Sequence, residues 1–312
     1  MRKTGFIAIV GLANAGKSTL LNSLIKQKVS IVSPKPQTTR DSIIGVWTDD
    51  DSQMVFVDTP GFLNSKNALG DYMLRSIDNA VQDVDCILVV IDGHNGISDR
   101  ELGQIAKYRK KGVPIVVAVT KIDITQPEKL MPELAKLNGV EGISEVYCVS
   151  AKRNRGVEDL KKALKTYLKG DTMYFEEDDV TDKSQRYIVC EIIREKLLIA
   201  CEDEIPHGIG VEINKMELTD NAWDIDATVI VEKASHKPIV LGKHGQMIKS
   251  VGTHARESIE KLLDARVYLT LWVKIKEDWR NNPSMLNELG YSNRRKYFSV
   301  YIHFYLRKLL VD

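Results

Sequence analysis

An apolar run at residues 6–10 leads straight into Gly11-x4-Gly16-Lys17-Ser18, and a helical pattern opens directly behind it at residues 20–24. Strand, glycine loop and helix in that order make a phosphate cradle. The glycines permit the tight turn that aims successive backbone N–H groups inward, and the positive end of the helix dipole lies behind them. Lys17 is placed to reach the β- and γ-phosphates of a nucleotide, and the Ser18 hydroxyl to ligate Mg²⁺. Such an opening predicts an α/β sheet.

The next segments fit that sheet. Residues 33–41 are polar and hold Pro34 and Pro36, which exclude helix, so a loop carrying Thr38, Thr39 and Arg40 precedes a strand at 43–48. An apolar run at 54–57 ends in Asp58-Thr59-Pro60-Gly61, which puts a carboxylate at the carboxyl end of a strand, where α/β sheets bind ligands. Runs at 86–91 and 114–119 are short and rich in branched residues, as buried parallel strands are. The second ends in Thr120-Lys121-Ile122-Asp123, and a run at 146–149 ends in Ser150-Ala151-Lys152.

In order and spacing these motifs resemble a Ras-like P-loop GTPase domain, with a mostly parallel sheet and helices on both faces. The resemblance implies GTP or GDP at Gly11, Asn14, Ala15, Gly16, Lys17, Ser18, Thr19, Asp58, Gly61, Thr120, Lys121, Asp123, Ser150, Ala151 and Lys152. It places Mg²⁺ on Ser18 and Thr39, with Asp58 acting through water, and the γ-phosphate against the Gly61 N–H. Asp123 is expected to be a buried carboxylate accepting from the N1–H and exocyclic amine of guanine, a donor pair that adenine lacks. Lys121 lies along the base, and the Ala151 N–H meets the guanine carbonyl. Lys17, Thr39, Gly61 and Asn14 are the candidate catalytic residues. Two positions depart from the pattern. Thr120 stands where the family usually has Asn, and Phe62 stands where Ras-like enzymes place a water-orienting Gln, so slow intrinsic hydrolysis is expected.

A helical pattern at 157–168 is followed by residues 171–182, which hold six acids and no base and read as a linker. A second α+β pattern restarts at Lys183. It runs as helix to about Ala200, strands near 208–218 and 223–231, Gly242-Lys243-His244-Gly245 between a strand and a helix, a strand at 266–276, and a last helix from about Asp278. This order resembles a KH domain, whose glycine loop clamps the backbone of single-stranded RNA. The candidate RNA contacts are Gly242, Lys243, His244, Gly245, Lys249 and Arg256. Net charge is +1 over the whole chain but −6 over residues 183–232 and +8 over 233–312, so positive charge gathers in the part that holds the glycine loop.

A GTPase half (1–170), an acidic linker (171–182) and a KH half (183–291) together resemble the Era family of GTPases. Residues 36–40, Trp279-Arg280-Asn281-Asn282 and Leu289-Gly290-Tyr291 support the likeness. It implies a GTP-hydrolysing switch that binds small-subunit ribosomal RNA and the small ribosomal subunit during assembly, as a cytoplasmic monomer. It also implies that Asn14 takes part in holding K⁺ beside the phosphates. Residues 292–312 lie beyond the family pattern. Their bases bracket Tyr297, Phe298, Tyr301, Phe304 and Tyr305, and they read as a closing helix packed on the KH half or as an RNA or peripheral membrane contact.

Two other function classes compete. One is a membrane-associated signalling GTPase with incidental RNA binding; the other is an ATP-using kinase, which Asp123 disfavours. Four well-separated cysteines with no Cys-x-x-Cys read as thiols of a reducing compartment, and the histidines at 94, 207, 236, 254 and 303 lack metal-ligand spacing.

Overall fold

The computed structural model describes residues 2–62, 65–202 and 205–291. In the first half, β1 (Lys3–Val10), β2 (Ile43–Thr48), β3 (Ser52–Asp58), β4 (Cys86–Asp92), β5 (Ile115–Thr120) and β6 (Ile143–Cys148) form one sheet in the order β2-β3-β1-β4-β5-β6. All neighbouring pairs are parallel except β2 with β3. Alternate residues of β1 feed two separate cores. Ile7 and Ile9 pack against α1 (Lys17–Ile25) and α5 (Val157–Thr166) through Leu20, Leu24, Leu160 and Leu164. Ala8 and Val10 pack with Ile77 of α2 (Ala68–Ala80) and Ile105 of α3 (Asp99–Arg109), and α4 (Pro127–Ala135) adds Leu130 and Leu134 on that side. Helices on both faces explain why the central strands read as continuous apolar runs.

The second half is built on β7 (Gly210–Leu218), β8 (Trp223–Val231) and β9 (Val267–Ile275), paired in that order, the first two antiparallel and the last two parallel. One face is covered by α6 (Gln185–Ala200) and α8 (Gln246–Leu263). Two expectations are corrected here. The segment before the glycine loop is a short helix, α7 (His236–Leu241), and no strand. Pro238 favours this, because it has no N–H to give a ladder and its fixed φ suits a first helical turn. The closing helix is split into a 3-10 turn, Trp279–Asn281, and α9 (Pro283–Glu288), where Asn282 accepts from the Ser284 and Met285 N–H groups and Pro283 begins the new helix.

The acidic segment is no free linker either. Thr4 and Gly170 exchange backbone hydrogen bonds of 2.9 and 2.8 Å. The Gln53 side chain accepts from the Tyr174 and Phe175 N–H groups, Val46 N–H donates to Val180 O at 2.9 Å, and Thr181 Oγ1 donates to Ile44 O at 2.7 Å. The segment is a strap along the β2 edge, ending three residues before α6.

The halves meet in a shared apolar cluster. Leu69, Tyr72 and Met73 of α2 pack with Ile230, Trp279 and Leu286. No helix among the described residues is long and apolar enough to cross a membrane. The readings of 292–312 lie outside the described residues.

Candidate functional site

Gly16 takes a left-handed conformation and opens α1 at Lys17. Lys17 is buried, and its Nζ donates to the loop's own carbonyls, Gly11 O at 3.1 Å and Leu12 O at 2.9 Å. Burial pulls its pKa down to about 8, with the nearby Asp58 carboxylate opposing the shift. Behind the loop, the Thr120 hydroxyl shares its proton between Ala15 O at 2.7 Å and Ile91 O at 3.0 Å. The strand-to-loop brace is therefore made by a hydroxyl at this departure from the family pattern.

Ser18, Thr39 and Asp58, far apart in sequence, come together. Ser18 Oγ donates to Asp58 Oδ2 at 2.7 Å, and Thr39 Oγ1 lies 2.9 Å from Ser18 Oγ. Ser30, which sequence reading did not single out, also donates to Asp58 Oδ2, at 3.0 Å. Asp58 Oδ1 is buried with no hydrogen-bond partner. Burial raises the Asp58 pKa, against the opposing effects of Lys17 and the hydroxyl donors. An unsatisfied carboxylate oxygen beside two hydroxyls is a hard-oxygen donor set, which fits Mg²⁺.

Gly61 is pressed against the phosphate loop. A Cβ there would lie 2.6 Å from Ala13 Cα, so only glycine allows the approach. The next residue's N–H donates to Gly11 O at 3.2 Å, while the Phe62 ring turns towards the core, 6.2 Å from Tyr108. It orients no water. Asn14 has φ +62° and its Nδ2 donates to Pro34 O at 2.9 Å, a tie from the phosphate loop to the 33–41 loop.

At the base end, Lys121 has φ +59° and its Nζ contacts Asp92 Oδ2 at 2.6 Å. A hydrogen bond from Ser150 holds the Asp123 carboxyl below its ordinary pKa. Ser150 is fully buried and accepts from the Arg153 N–H at 3.1 Å, with Ala151 half-buried and Lys152 exposed. Asp123 is half-exposed, not the enclosed carboxylate expected, and the groups acting on it include Ser150, Lys152 and Arg153 of the adjoining turn. Thr19 and Ala151 line one cleft beside α1.

In the second half, Gly242 takes φ +72°, and a Cβ there would meet Met247 Cβ at 2.7 Å. Lys243, His244 and Lys249 are exposed, and Gly245 begins α8 with open space around its Cα. A groove between α8 and β9 has Ile248, Leu269 and Leu271 as apolar lining and Lys249 and Arg256 among its polar residues. Arg256 is ion-paired to Glu260 at 2.9 Å, so its charge is partly neutralised within the helix.

Residues that join the two halves were not legible as such. Arg40 is fully buried and its guanidinium donates to Ile209 O at 2.6 Å, His207 O at 3.1 Å and Pro206 O at 3.2 Å. Arg194 of α6 donates to Thr38 O, and Glu195 accepts from the Val32 N–H at 3.0 Å and pairs with Lys28 at 2.7 Å. Lys183 pairs with Asp41 at 3.0 Å. The only sequence signal was charge at adjacent buried positions of an otherwise amphipathic helix.

A P-loop, a hydroxyl–carboxylate cluster beneath it and a Lys-x-Asp/Ser-Ala-Lys base end, joined to a glycine-loop α+β domain, define a P-loop GTPase that carries a KH domain. The family model for 50S ribosome-binding GTPases matches residues 6–121, and the KH domain model matches residues 204–280. GTPase Era of Clostridium kluyveri is 44% identical over 294 residues, 93% of this chain and 100% of that one. GTPase Era of Clostridium botulinum is 41% identical over 296 residues, 95% of this chain and 100% of that one. The chain belongs to the Era GTPase family. The crystal structure of an Aquifex aeolicus Era variant bound to GDP and AlF4⁻ superposes with TM-score 0.89 at 36% identity, covering 93% of this chain and 99% of that one. An Era complex with MgGDPNP and nucleotides 1506–1542 of 16S ribosomal RNA gives TM-score 0.89 and 36% identity, covering 94% and 100%.

Proposed function

We propose that this GTPase is a nucleotide-driven switch that binds small-subunit ribosomal RNA through its KH half during small-subunit assembly, as a cytoplasmic monomer. Residues 1–170 then bind and hydrolyse GTP, residues 171–182 strap the halves together, and residues 183–291 hold RNA. The observation that carries the reading is the 32–40 loop, whose Thr39 hydroxyl meets Ser18 beneath the phosphate loop while α6 holds Val32 and Thr38 from the other side.

On this reading Lys17 leaves the carbonyls of Gly11 and Leu12 for phosphate oxygens, and the loop N–H groups and the Gly61 N–H hold the phosphate chain. Ser18, Thr39 and Asp58 hold Mg²⁺, which when bound neutralises charge on the β- and γ-phosphates. Asp123 reads guanine, with Ser150 fixing its carboxyl, Asp92 steadying Lys121, and Ala151 and Lys152 closing the base end. Asn14 joins the phosphate loop to the 33–41 loop and helps to hold K⁺ there. Loss of the γ-phosphate frees Thr39, and the change passes to α6 through Thr38 and Val32.

The test is RNA binding by the chain with Lys243→Asp and His244→Asp, using an RNA that corresponds to nucleotides 1506–1542 of 16S ribosomal RNA. Two carboxylates at the glycine loop repel the RNA backbone, so affinity is expected to collapse at low salt while the melting curve stays that of the unaltered chain. Unaltered affinity would refute the KH reading.

A further inference from the structure

Helix α1 grips Asp58 twice, once directly and once through a returning loop. Asp58 is fully buried, and its Oδ2 accepts from Ser18 Oγ at 2.7 Å and from Ser30 Oγ at 3.0 Å. Ser18 belongs to α1 itself. Ser30 comes after the helix has ended, and Asn22, one turn beyond Ser18 on the same face of α1, brings it back. The Asn22 amide holds that return by both of its ends. Its Oδ1 accepts from the Val29 N–H and the Ser30 N–H, each at 3.0 Å, and its Nδ2 donates to Ser30 O at 2.7 Å.

The backbone that carries Ser30 is fixed from the other side as well. Lys28 pairs with Glu195 of α6 at 2.7 Å, and the Val32 N–H donates to the same carboxylate at 3.0 Å. Ser30 is 1% exposed, so bulk water offers its hydroxyl little competition. The hydroxyl thus reaches Asp58 from a tethered chain.

Two donors on one oxygen restrict what a carboxylate can do. The last torsion of an aspartate is broad and roughly two-fold, so a carboxylate held by one hydroxyl turns easily and exchanges its oxygens. Here a turn would break two hydrogen bonds at once. Oδ1 therefore stays the oxygen without a partner, and it is the one left for a water of the metal ion.

We propose that Ser30 is a positioning residue of the metal site, orienting the Asp58 carboxylate for Mg²⁺, and that Asn22 acts through Ser30. The proposal rests on the reading that Ser18, Thr39 and Asp58 hold the ion. Ser30 itself is assigned no contact with ion or nucleotide. Removing its hydroxyl leaves every ligand in place and loosens the orientation of one of them, and partners of this kind are worth about 10- to 100-fold in metal affinity.

The test follows release of a fluorescent GDP analogue from the full chain as free Mg²⁺ is varied, and reads Mn²⁺ binding to the GDP complex by electron paramagnetic resonance. No hydrolysis is involved. Ser30→Ala should raise the Mg²⁺ concentration that half-retains GDP by about 10- to 100-fold and weaken Mn²⁺ to a similar degree. In excess EDTA it should release GDP as fast as the unaltered chain, since without the ion the orientation of Asp58 has nothing to serve. Ser30→Thr keeps the hydroxyl, and Ser30 lines a cavity of about 410 Å³ that gives the added methyl group room, so this variant should restore the unaltered Mg²⁺ dependence. Asn22→Ala should shift that dependence in the same direction as Ser30→Ala, and the double variant should do no worse than Ser30→Ala alone. If Ser30→Ala does not fold, Ser30→Cys, close in size and a weaker donor, carries the same prediction. An unchanged Mg²⁺ dependence in Ser30→Ala, beside a clear loss in Asp58→Asn, overturns the proposal and leaves the metal site standing. Faster release by the same factor with and without Mg²⁺ overturns it too, because Ser30 would then support the nucleotide pocket at large. If Asp58→Asn also leaves the Mg²⁺ dependence unchanged, the assignment of the ion to Asp58 fails and takes the proposal with it.

Discussion

The Arg40 guanidinium lies over the Trp279 indole, 5.7 Å from the ring centre, and the two residues come from opposite halves of the chain. Arg40 closes the loop that carries Thr39, and Trp279 donates its Nε1–H to Gly208 O at 2.9 Å, within the segment whose carbonyls receive Arg40. One end of the loop that carries Thr39 is thus built into the core of the other half. By linkage, whatever this contact transmits from nucleotide to RNA it transmits equally from RNA to nucleotide.

Trp279→Ala removes a fully buried indole and is expected to cost about 3–5 kcal/mol. Because the cluster is shared by both halves, calorimetry should show the melting endotherm split into two. A single endotherm moved down as a whole would place the effect inside the KH half alone.

Asp123→Asn is expected to weaken GTP and strengthen xanthosine triphosphate. The amide presents a donor where xanthine has a carbonyl, and it leaves the guanine amine without its acceptor. Competition between the two nucleotides measures this directly, and retained GTP preference would remove Asp123 from the base site.

The low Lys17 pKa gives a pH signature. Bound phosphate favours the ammonium, so the complex holds that proton more tightly than the free chain does. GTP affinity is therefore full below about pH 8 and falls above it, by up to about tenfold per pH unit. Titration calorimetry in buffers of different ionisation heat should find no proton uptake near about pH 6.5 and close to one proton near about pH 9. The free chain behaves oppositely in stability. Burial of the charged lysine costs stability below about 8, and the cost is relieved as pH rises towards the unfolded value of 10.5.

Asn14 ties the phosphate loop to Pro34, where a monovalent cation would sit between the two loops. GTP hydrolysis is expected to be faster in K⁺ than in Na⁺ at equal ionic strength, because the larger ion spans both sets of oxygens. A positive charge supplied there by an arginine finger in other GTPases is worth roughly 10³ to 10⁵ in rate. Asn14→Ala should erase the difference between the salts. Equal rates in the unaltered protein would leave the catalytic charge to a partner.

Much of the GTPase half was legible because its central strands are buried on both faces and so appear as uninterrupted apolar runs, three of the four leading into a candidate motif. Ser18, Thr39 and Asp58 could be grouped because the fold class puts all three at one sheet edge. Arg40 could not be placed, since its partners are carbonyls 166–169 residues away and backbone carbonyls leave no mark on a sequence. The strap is hidden from the sequence for the same reason. Its acids predict solvation, whereas its attachment uses backbone groups and one glutamine amide. The α7 helix carries a strand-like signal because three apolar residues, Ile239, Val240 and Leu241, follow one another, and Pro238 before them is the one residue that argues against a strand.

The strap has a consequence for how the chain is made. β2 is an outermost strand, and an outermost strand offers free N–H and C=O groups on which another chain can add. Val180 and Thr181 occupy that edge, and Glu176, Glu177, Asp178 and Asp179 stand nearby as like charges that repel a second copy. During synthesis the edge stays open until residue 182 has emerged. A polypeptide halted at residue 170 is therefore the species most exposed to aggregation, and twelve further residues remove the hazard before any of the KH half has folded.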